Sequence, residues 1–163
     1  MSGKGAQVKA WLFKYRWELG IGSVIFLIDH FTKVLALWYL PDRVVKIFPF
    51  FQLRYVENTG AAFGMMQGGN WILVFVMLGI ILYILKSWKE LCSQGRVVRW
   101  GCVFILAGAI GNLYDRITLG YVVDFLDFLV WPVFNVADSF ITIGGCLFAY
   151  SLLVDRKPKQ EEK

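Results

Sequence analysis

The chain of 163 residues is 58% hydrophobic and only 18% charged, and it has a net charge of +5. A soluble domain of this length could not bury so much apolar surface, so a bilayer is the expected solvent. The basic residues lie in short clusters beside apolar runs, which fits anionic lipid headgroups and argues against nucleic acid as a partner.

Four apolar runs approach the roughly 20 residues that are needed to span hydrocarbon. They predict an all-α membrane protein, a single integral membrane domain over residues 1–163, with transmembrane helices at about 17–40, 70–88, 97–114 and 133–154. The basic N-terminus resembles a signal peptide, but the run that follows is long and carries Asp29 and Lys33, so we interpret it as a retained helix.

The connection 41–69 contains a segment, 44–57, that is rich in β-branched and aromatic residues and interrupted by Pro49. This composition predicts a small extended or β-like segment at the outer, periplasmic-side surface. We expect the other long connection, 117–132, to be a loop on the same side.

Basic residues orient the predicted bundle. Residues 1–16, 86–99 and 153–163 carry four Lys or Arg each, whereas 41–69 carries three and 117–132 none. The positive-inside rule therefore predicts that both termini, including a solvated tail over 155–163, are cytoplasmic. The connections 41–69 and 117–132 would then face outward.

On this topology, polar residues from distant parts of the chain gather at the outer face of the membrane. They are Asp29, Lys33, Asn58, Asn112, Asp115, Arg116, Asp124, Asp127, Asn135 and Asp138. Several have a purely structural explanation. Asp29 with Lys33, and Asp115 with Arg116, are expected to form ion pairs, Asn112 and Asn135 to cap helices, and Asp127 to be solvated. Asp124 and Asp138 lie in apolar surroundings, where an unused carboxylate is costly.

The chemistry that these residues support is narrow. No Ser/His/Asp arrangement is present, because the single histidine, His30, neighbours Asp29, and the three cysteines lack metal-ligand spacing. We therefore expect neither a metal nor a cofactor. Two close carboxyl groups that share one proton can act as base on a water molecule and as acid on an amide. Asp124 on a loop and Asp138 at a helix start could meet in this way.

Four sequence blocks give the chain a family resemblance. They are DHFTK (29–33), ENTGAAFG (57–64), AGAIGNLYDR (107–116), and VVDFLDF followed by FNVADSFI (122–141). Taken in order, they resemble lipoprotein signal peptidases, the bacterial signal peptidase II family of membrane aspartic peptidases, over about residues 21–149. His30, Thr32 and Ala107 depart from the usual Gln, Ser and Gly, and none of the three is a candidate catalytic residue.

The resemblance implies a role for each polar position. The catalytic pair would be Asp124 and Asp138. Substrate would be bound by Asn58, Asn112, Arg116 and Asn135, and the site would be supported by Asp29, Lys33 and Asp115.

The resemblance also implies the partners and the location. The substrate would be a lipid-modified prolipoprotein, cut before a cysteine that carries diacylglycerol, and the extended phenylalanine-rich segment would cradle it. Globomycin-type inhibitors and membrane lipid would be the other ligands. A monomer is expected in the bacterial cytoplasmic (inner) membrane, with its active site facing outward.

Two other classes fit the residues alone. Intramembrane carboxylates also serve as proton relays in transporters and channels, although no internal repeat is evident here. A membrane scaffold is the other alternative, in which the polar residues only orient helices and GAAFG is a packing patch.

Overall fold

The structure, a computed structural model, describes residues 3–60 and 68–154. Its helices are α1 (Gly3–Lys14), α2 (Arg16–Tyr39), α3 (Asn70–Lys86), α4 (Trp88–Ser93), α5 (Arg96–Thr118) and α6 (Val136–Val154), and its strands are β1 (Val44–Phe48), β2 (Phe51–Asn58) and β3 (Val122–Asp127). The predicted tail 155–163 and most of the GAAFG patch lie outside the described residues.

Three helices, α2, α5 and α6, are long and apolar enough to cross a membrane. The run predicted over 70–88 forms an apolar helix, α3, of 17 residues. At about 1.5 Å per residue α3 is roughly 25 Å long, less than the roughly 30 Å of a hydrocarbon core. The prediction of spanning helices is therefore confirmed for three of the four runs.

The third predicted helix ends later than expected. The sequence predicts its end at about residue 114, but α5 continues to Thr118, and the Leu119 amide still donates a helical hydrogen bond to the Asp115 carbonyl at 2.7 Å. Asp115 and Arg116 therefore lie within the last turns of α5. The fourth helix begins at Val136 rather than at about 133.

The three strands form one antiparallel sheet in the order β1-β2-β3. The extended prediction for 44–57 is confirmed by β1 and β2, which pair through Val44 and Arg54. The prediction of a loop around Asp124 is wrong, because this residue lies in β3 and pairs with Val56 of β2. The apolar side chains around it pack against α2, in a cluster of Ala36, Leu40, Val123 and Phe125.

Glycines allow α5 and α6 to approach closely. A Cβ atom on Gly108 would collide with the carbonyl oxygen of Ala137, and one on Gly144 would lie 2.7 Å from the carbonyl oxygen of Gly101. Small residues at helix contacts let backbones meet inside a membrane. The close contact brings the C-terminal half of α5 against the beginning of α6, where the polar residues lie.

Candidate active site

A buried ammonium group organises the polar cluster. Lys33 is only 1% exposed. Its Nζ atom lies 2.8 Å from Oδ2 of Asp29 and 3.1 Å from Oδ2 of Asp115, and it donates a hydrogen bond of 2.8 Å to Oδ1 of Asn112. The buried charge therefore has one hydrogen bond and two carboxylates close to it. Such compensation is what allows a charge to remain buried.

The two carboxylates that pair with Lys33 also hold other elements. Asp29 accepts a hydrogen bond of 2.7 Å from the Ala137 amide at the start of α6, and Asp115 accepts one of 3.2 Å from the Val123 amide in β3. The expected Asp29–Lys33 pair is thus present. Asp115, however, pairs with Lys33, whereas its neighbour Arg116 binds other groups. The cluster fixes β3 and α6 to α2 and α5.

Asn135 and Asp138 form a capping box at the start of α6. The Asp138 amide donates to Oδ1 of Asn135 at 2.9 Å, and the Asn135 amide donates to Oδ2 of Asp138 at 3.3 Å. The expectation that Asn135 caps a helix is therefore confirmed. Asn112 does not cap a helix end; its Nδ2 atom donates to Oδ1 of Asp138 at 2.7 Å.

Asp124 is held by two amide side chains. Asn135 donates from Nδ2 to Oδ1 of Asp124 at 2.7 Å, and Asn58 donates from Nδ2 to Oδ2 at 2.8 Å. Because Asn135 also caps the turn that contains Asp138, one buried asparagine bonds to both acidic residues. The strand residue and the helix residue thereby become parts of one site.

The surroundings change the acidity of Asp124. Burial, and then the nearby charge of Asp138, raise the pKa of Asp124 to about 7, although hydrogen bonds from Asn58 and Asn135 and the charge of Lys33 oppose the rise. Two neighbouring carboxyl groups do not both ionise easily. A carboxyl group with this pKa can hold or release a proton near neutral pH.

Both acidic side chains line one cavity of about 670 Å³. This size is within the roughly 300–1,000 Å³ that is typical of ligand sites. Asn58, Asn112 and Arg116 contribute polar atoms, and the segment 131–134 with the first turns of α6 contributes an apolar wall. The cavity can therefore take a ligand that presents a polar group to the acids and an apolar part to the wall.

Arg116 faces the same cavity but is already bonded. Its Nη2 atom donates to the Gly60 carbonyl at 2.6 Å, and its Nη1 atom donates to Oδ1 of Asn70 at 3.1 Å. Asn70 in turn donates to the Arg116 carbonyl at 3.1 Å. Asn70 is a member of this network that the sequence pattern does not reveal, because its only signal is its position at the start of an apolar run.

Asp127 is buried, so the expectation that it is solvated is wrong. Its carboxylate accepts hydrogen bonds of 2.8 Å from Gln52, 2.7 Å from Arg54 and 2.9 Å from the Leu129 amide. Although burial works to raise it, these bonds hold the pKa of Asp127 below its ordinary value. Since side chains alternate along a strand, Asp127 and Asp124 lie on opposite faces of β3.

Comparisons with known proteins agree with this architecture. The family model described as Signal peptidase (SPase) II matches residues 21–154. Proteins named lipoprotein signal peptidase from Caldanaerobacter subterraneus subsp. tengcongensis and Thermodesulfovibrio yellowstonii are both 45% identical to the chain, over 82% and 85% of it and 92% and 95% of the relatives. A bacterial membrane enzyme solved in meso at 2.3 Å superposes with a TM-score of 0.81 and 28% identity, over 90% of this chain and 93% of that one.

Proposed function

Because the chain belongs to the signal peptidase II family, we propose that Asp124 and Asp138 form the catalytic pair of this peptidase. The protein is a membrane protease that removes signal peptides from lipoprotein precursors. The observation that carries the assignment of the pair is Asn135, which bonds to both acidic residues at the wall of one cavity. Membership in a peptidase family excludes the transporter and scaffold alternatives.

The reaction follows from one proton shared by the two carboxyl groups. The ionised carboxylate takes a proton from a water molecule, whose oxygen attacks the carbonyl carbon of the scissile amide. The other carboxyl group donates its proton to the amide nitrogen as the carbon–nitrogen bond breaks. The pKa of about 7 for Asp124 supports a singly protonated pair near neutral pH.

The neighbouring polar residues orient the pair and the substrate. Asn58, Asn112 and Asn135 donate to the carboxylates and line up their oxygens. Arg116 holds the Gly60 carbonyl, and we propose that its guanidinium similarly binds a backbone carbonyl of the extended substrate. Asp29, Lys33 and Asp115 support the site by holding β3 and α6 in place.

We assign the cavity to the lipid-modified end of the precursor. The scissile bond would lie at the carboxyl groups, just before a diacylglyceryl cysteine. The apolar wall formed by Trp131, Val133, Ile141 and Ile143 supports a ligand with acyl chains. A globomycin-type lipopeptide, which also joins a peptide to an apolar chain, would occupy the same cavity.

The proposal includes an orientation of the chain in the membrane. With α3 as a fourth spanning helix, both termini and the connection 86–99 lie in the cytoplasm of a bacterium, and the catalytic pair faces outward from its inner membrane. The distribution of basic residues supports this orientation. We propose that the active unit is a monomer, because one chain supplies both acidic residues and the asparagines that hold them.

The decisive experiment compares cleavage of a diacylglyceryl-modified precursor by wild type, Asp124→Asn and Asp138→Asn in the same detergent. Each variant should lose at least about 100-fold in kcat/KM, as removal of one acid or base usually does, while still unfolding in a cooperative thermal transition. The matched control is Asp42→Asn, which changes an exposed aspartate of a turn and should cleave normally. Substantial cleavage by either variant would reject the assignment.

A further inference from the structure

A second cavity lies away from the catalytic pair. Its volume is about 860 Å³, and it shares no lining residue with the catalytic cavity. It opens on a different face of α5, toward the end of the bundle where α4 lies. Its apolar walls come from α2, α3 and α5, and their residues are Leu19, Phe26, Leu27, Leu85, Val103, Leu106 and Ile110.

Charge is concentrated at one end of this cavity. Lys86 and Lys89 line it and are exposed, and neither forms an ion pair with any residue that the structure describes. Lys14 is adjacent, with its Nζ atom 5.3 Å from the Tyr15 ring. The acidic residue of the lining, Glu18, is neutralised by Arg99 at 3.1 Å. The mouth of the cavity is therefore positively charged.

Aromatic rings lie at the same level as the lysines. The Trp11 and Tyr15 rings are 5.2 Å apart, and the Tyr15 and Trp88 rings are 5.7 Å apart. All three residues line the cavity. Trp and Tyr concentrate where a membrane protein meets the headgroup region. The basic and aromatic end thus has the composition expected at headgroup level, and the rest of the lining is mostly apolar.

We propose that this cavity is a binding site for an anionic diacyl phospholipid of the membrane. Lys86 and Lys89 would bind the phosphate and the anionic headgroup, and the acyl chains would lie against the apolar walls of α2, α3 and α5. Basic pockets between membrane helices bind such headgroups. On the proposed topology the lipid belongs to the cytoplasmic leaflet, but the ligand chemistry does not depend on that orientation.

The positive charge of Lys86 and Lys89 favours an anionic lipid over two other possible occupants of the cavity, a signal peptide and a second copy of this chain. The signal peptide of a precursor carries a basic N-terminal region, which Lys86 and Lys89 would repel. A second copy of this chain would bring the same basic segments to the contact and would be repelled as well. An anionic lipid is the partner that complements both the charge at the mouth and the apolar walls.

The experiment measures lipid binding to the purified full chain by native mass spectrometry and by thermal shift. Dioleoyl phosphatidylglycerol and dioleoyl phosphatidylcholine are compared, because they share acyl chains and differ in net charge. Wild type should bind phosphatidylglycerol more tightly. Lys86→Gln/Lys89→Gln should weaken that binding about 30-fold, since one lysine near an anionic lipid surface contributes about fivefold.

Two further variants keep the test decisive. Arg43→Gln/Lys46→Gln removes two exposed charges near β1 and should bind phosphatidylglycerol as wild type does. Ser23→Phe puts a larger side chain into the cavity lining, keeps both lysines in the sequence, and should weaken the binding of both lipids. Equal binding of the two lipids by wild type, or unchanged phosphatidylglycerol binding by Lys86→Gln/Lys89→Gln or by Ser23→Phe, would overturn the proposal.

Discussion

The ammonium of Lys33 donates to Oδ1 of Asn112 at 2.8 Å, and this contact fixes which way the Asn112 amide faces. Because an ammonium has no acceptor, the amide oxygen must point to Lys33 and the Nδ2 group must point away from it. That group then donates to Oδ1 of Asp138 at 2.7 Å. A lysine on α2 thus orients a proposed catalytic carboxylate on α6 through one asparagine.

Replacement of Lys33 should destabilise the protein severely. Lys33→Met leaves Asp29 and Asp115 buried without their cation, and loss of one partner from a buried ion cluster costs about 3–5 kcal/mol. Thermal unfolding in detergent measures the effect. Lys46→Met, at an exposed position of β1, is the control and should change stability little. An unchanged unfolding temperature for Lys33→Met would show that the ion cluster is not stabilising the fold.

The activity should decline as the pH rises through about 7. The pKa of about 7 for Asp124 means that this carboxyl group loses its proton there and can no longer donate it to the leaving nitrogen. The pH profile of kcat/KM, which reports the free enzyme, measures this. A profile that stays flat from pH 6 to pH 9 would show that the proton is held by other means.

The same raised pKa makes stability depend on pH. Because the pKa of Asp124 rises from 3.8 to about 7 on folding, the protonated carboxyl group stabilises the fold relative to the ionised one. This stabilisation is fully present below about pH 4 and is lost as the pH rises through 7. The loss in the free energy of unfolding is at most on the order of 4 kcal/mol. Asp124→Asn should therefore gain stability relative to wild type at pH 8 but not at pH 4. Equal differences at both pH values would contradict this.

Arg116→Ala should weaken binding of a globomycin-type inhibitor by about tenfold or more, because a charged donor to a carbonyl contributes about 1.5–3 kcal/mol. Asn70→Ala is the matched variant, since it removes one internal partner of Arg116 and keeps the guanidinium and its bond to the Gly60 carbonyl. It should lower thermal stability and largely preserve inhibitor affinity. If folded Arg116→Ala binds the inhibitor as wild type does, the arginine has a structural role alone.

The enzyme should cleave a diacylglyceryl-modified precursor far better than the same precursor with a bare cysteine. Each buried acyl methylene adds about 0.8 kcal/mol of membrane anchoring. Acyl chains seated on the apolar wall would also set the height of the scissile bond and so lower the entropic cost of positioning it. Side-by-side cleavage in one detergent measures the ratio, with Asp124→Asn as the blank. Equal rates would show that the lipid is not recognised.

The sequence by itself predicted the three long apolar helices that could cross a membrane and most of the polar residues that the fold gathers at the candidate site. Long apolar runs specify membrane helices because every backbone group in hydrocarbon must bond within its own segment. The run over 97–114 therefore located most of α5 without any knowledge of its neighbours. The polar residues that interrupt such runs are costly there, which is why Asp138 stood out from sequence alone.

Only the tertiary structure decided how these residues are connected. The strand that carries Asp124 exists because β2 pairs with it, and that partner lies more than 60 residues away in the chain. In the same way, Asp115 pairs with Lys33 across two helices rather than with the residue beside it. Strand pairing and buried ion pairs depend on which groups the whole fold brings within bonding distance. The local sequence does not specify which groups these are.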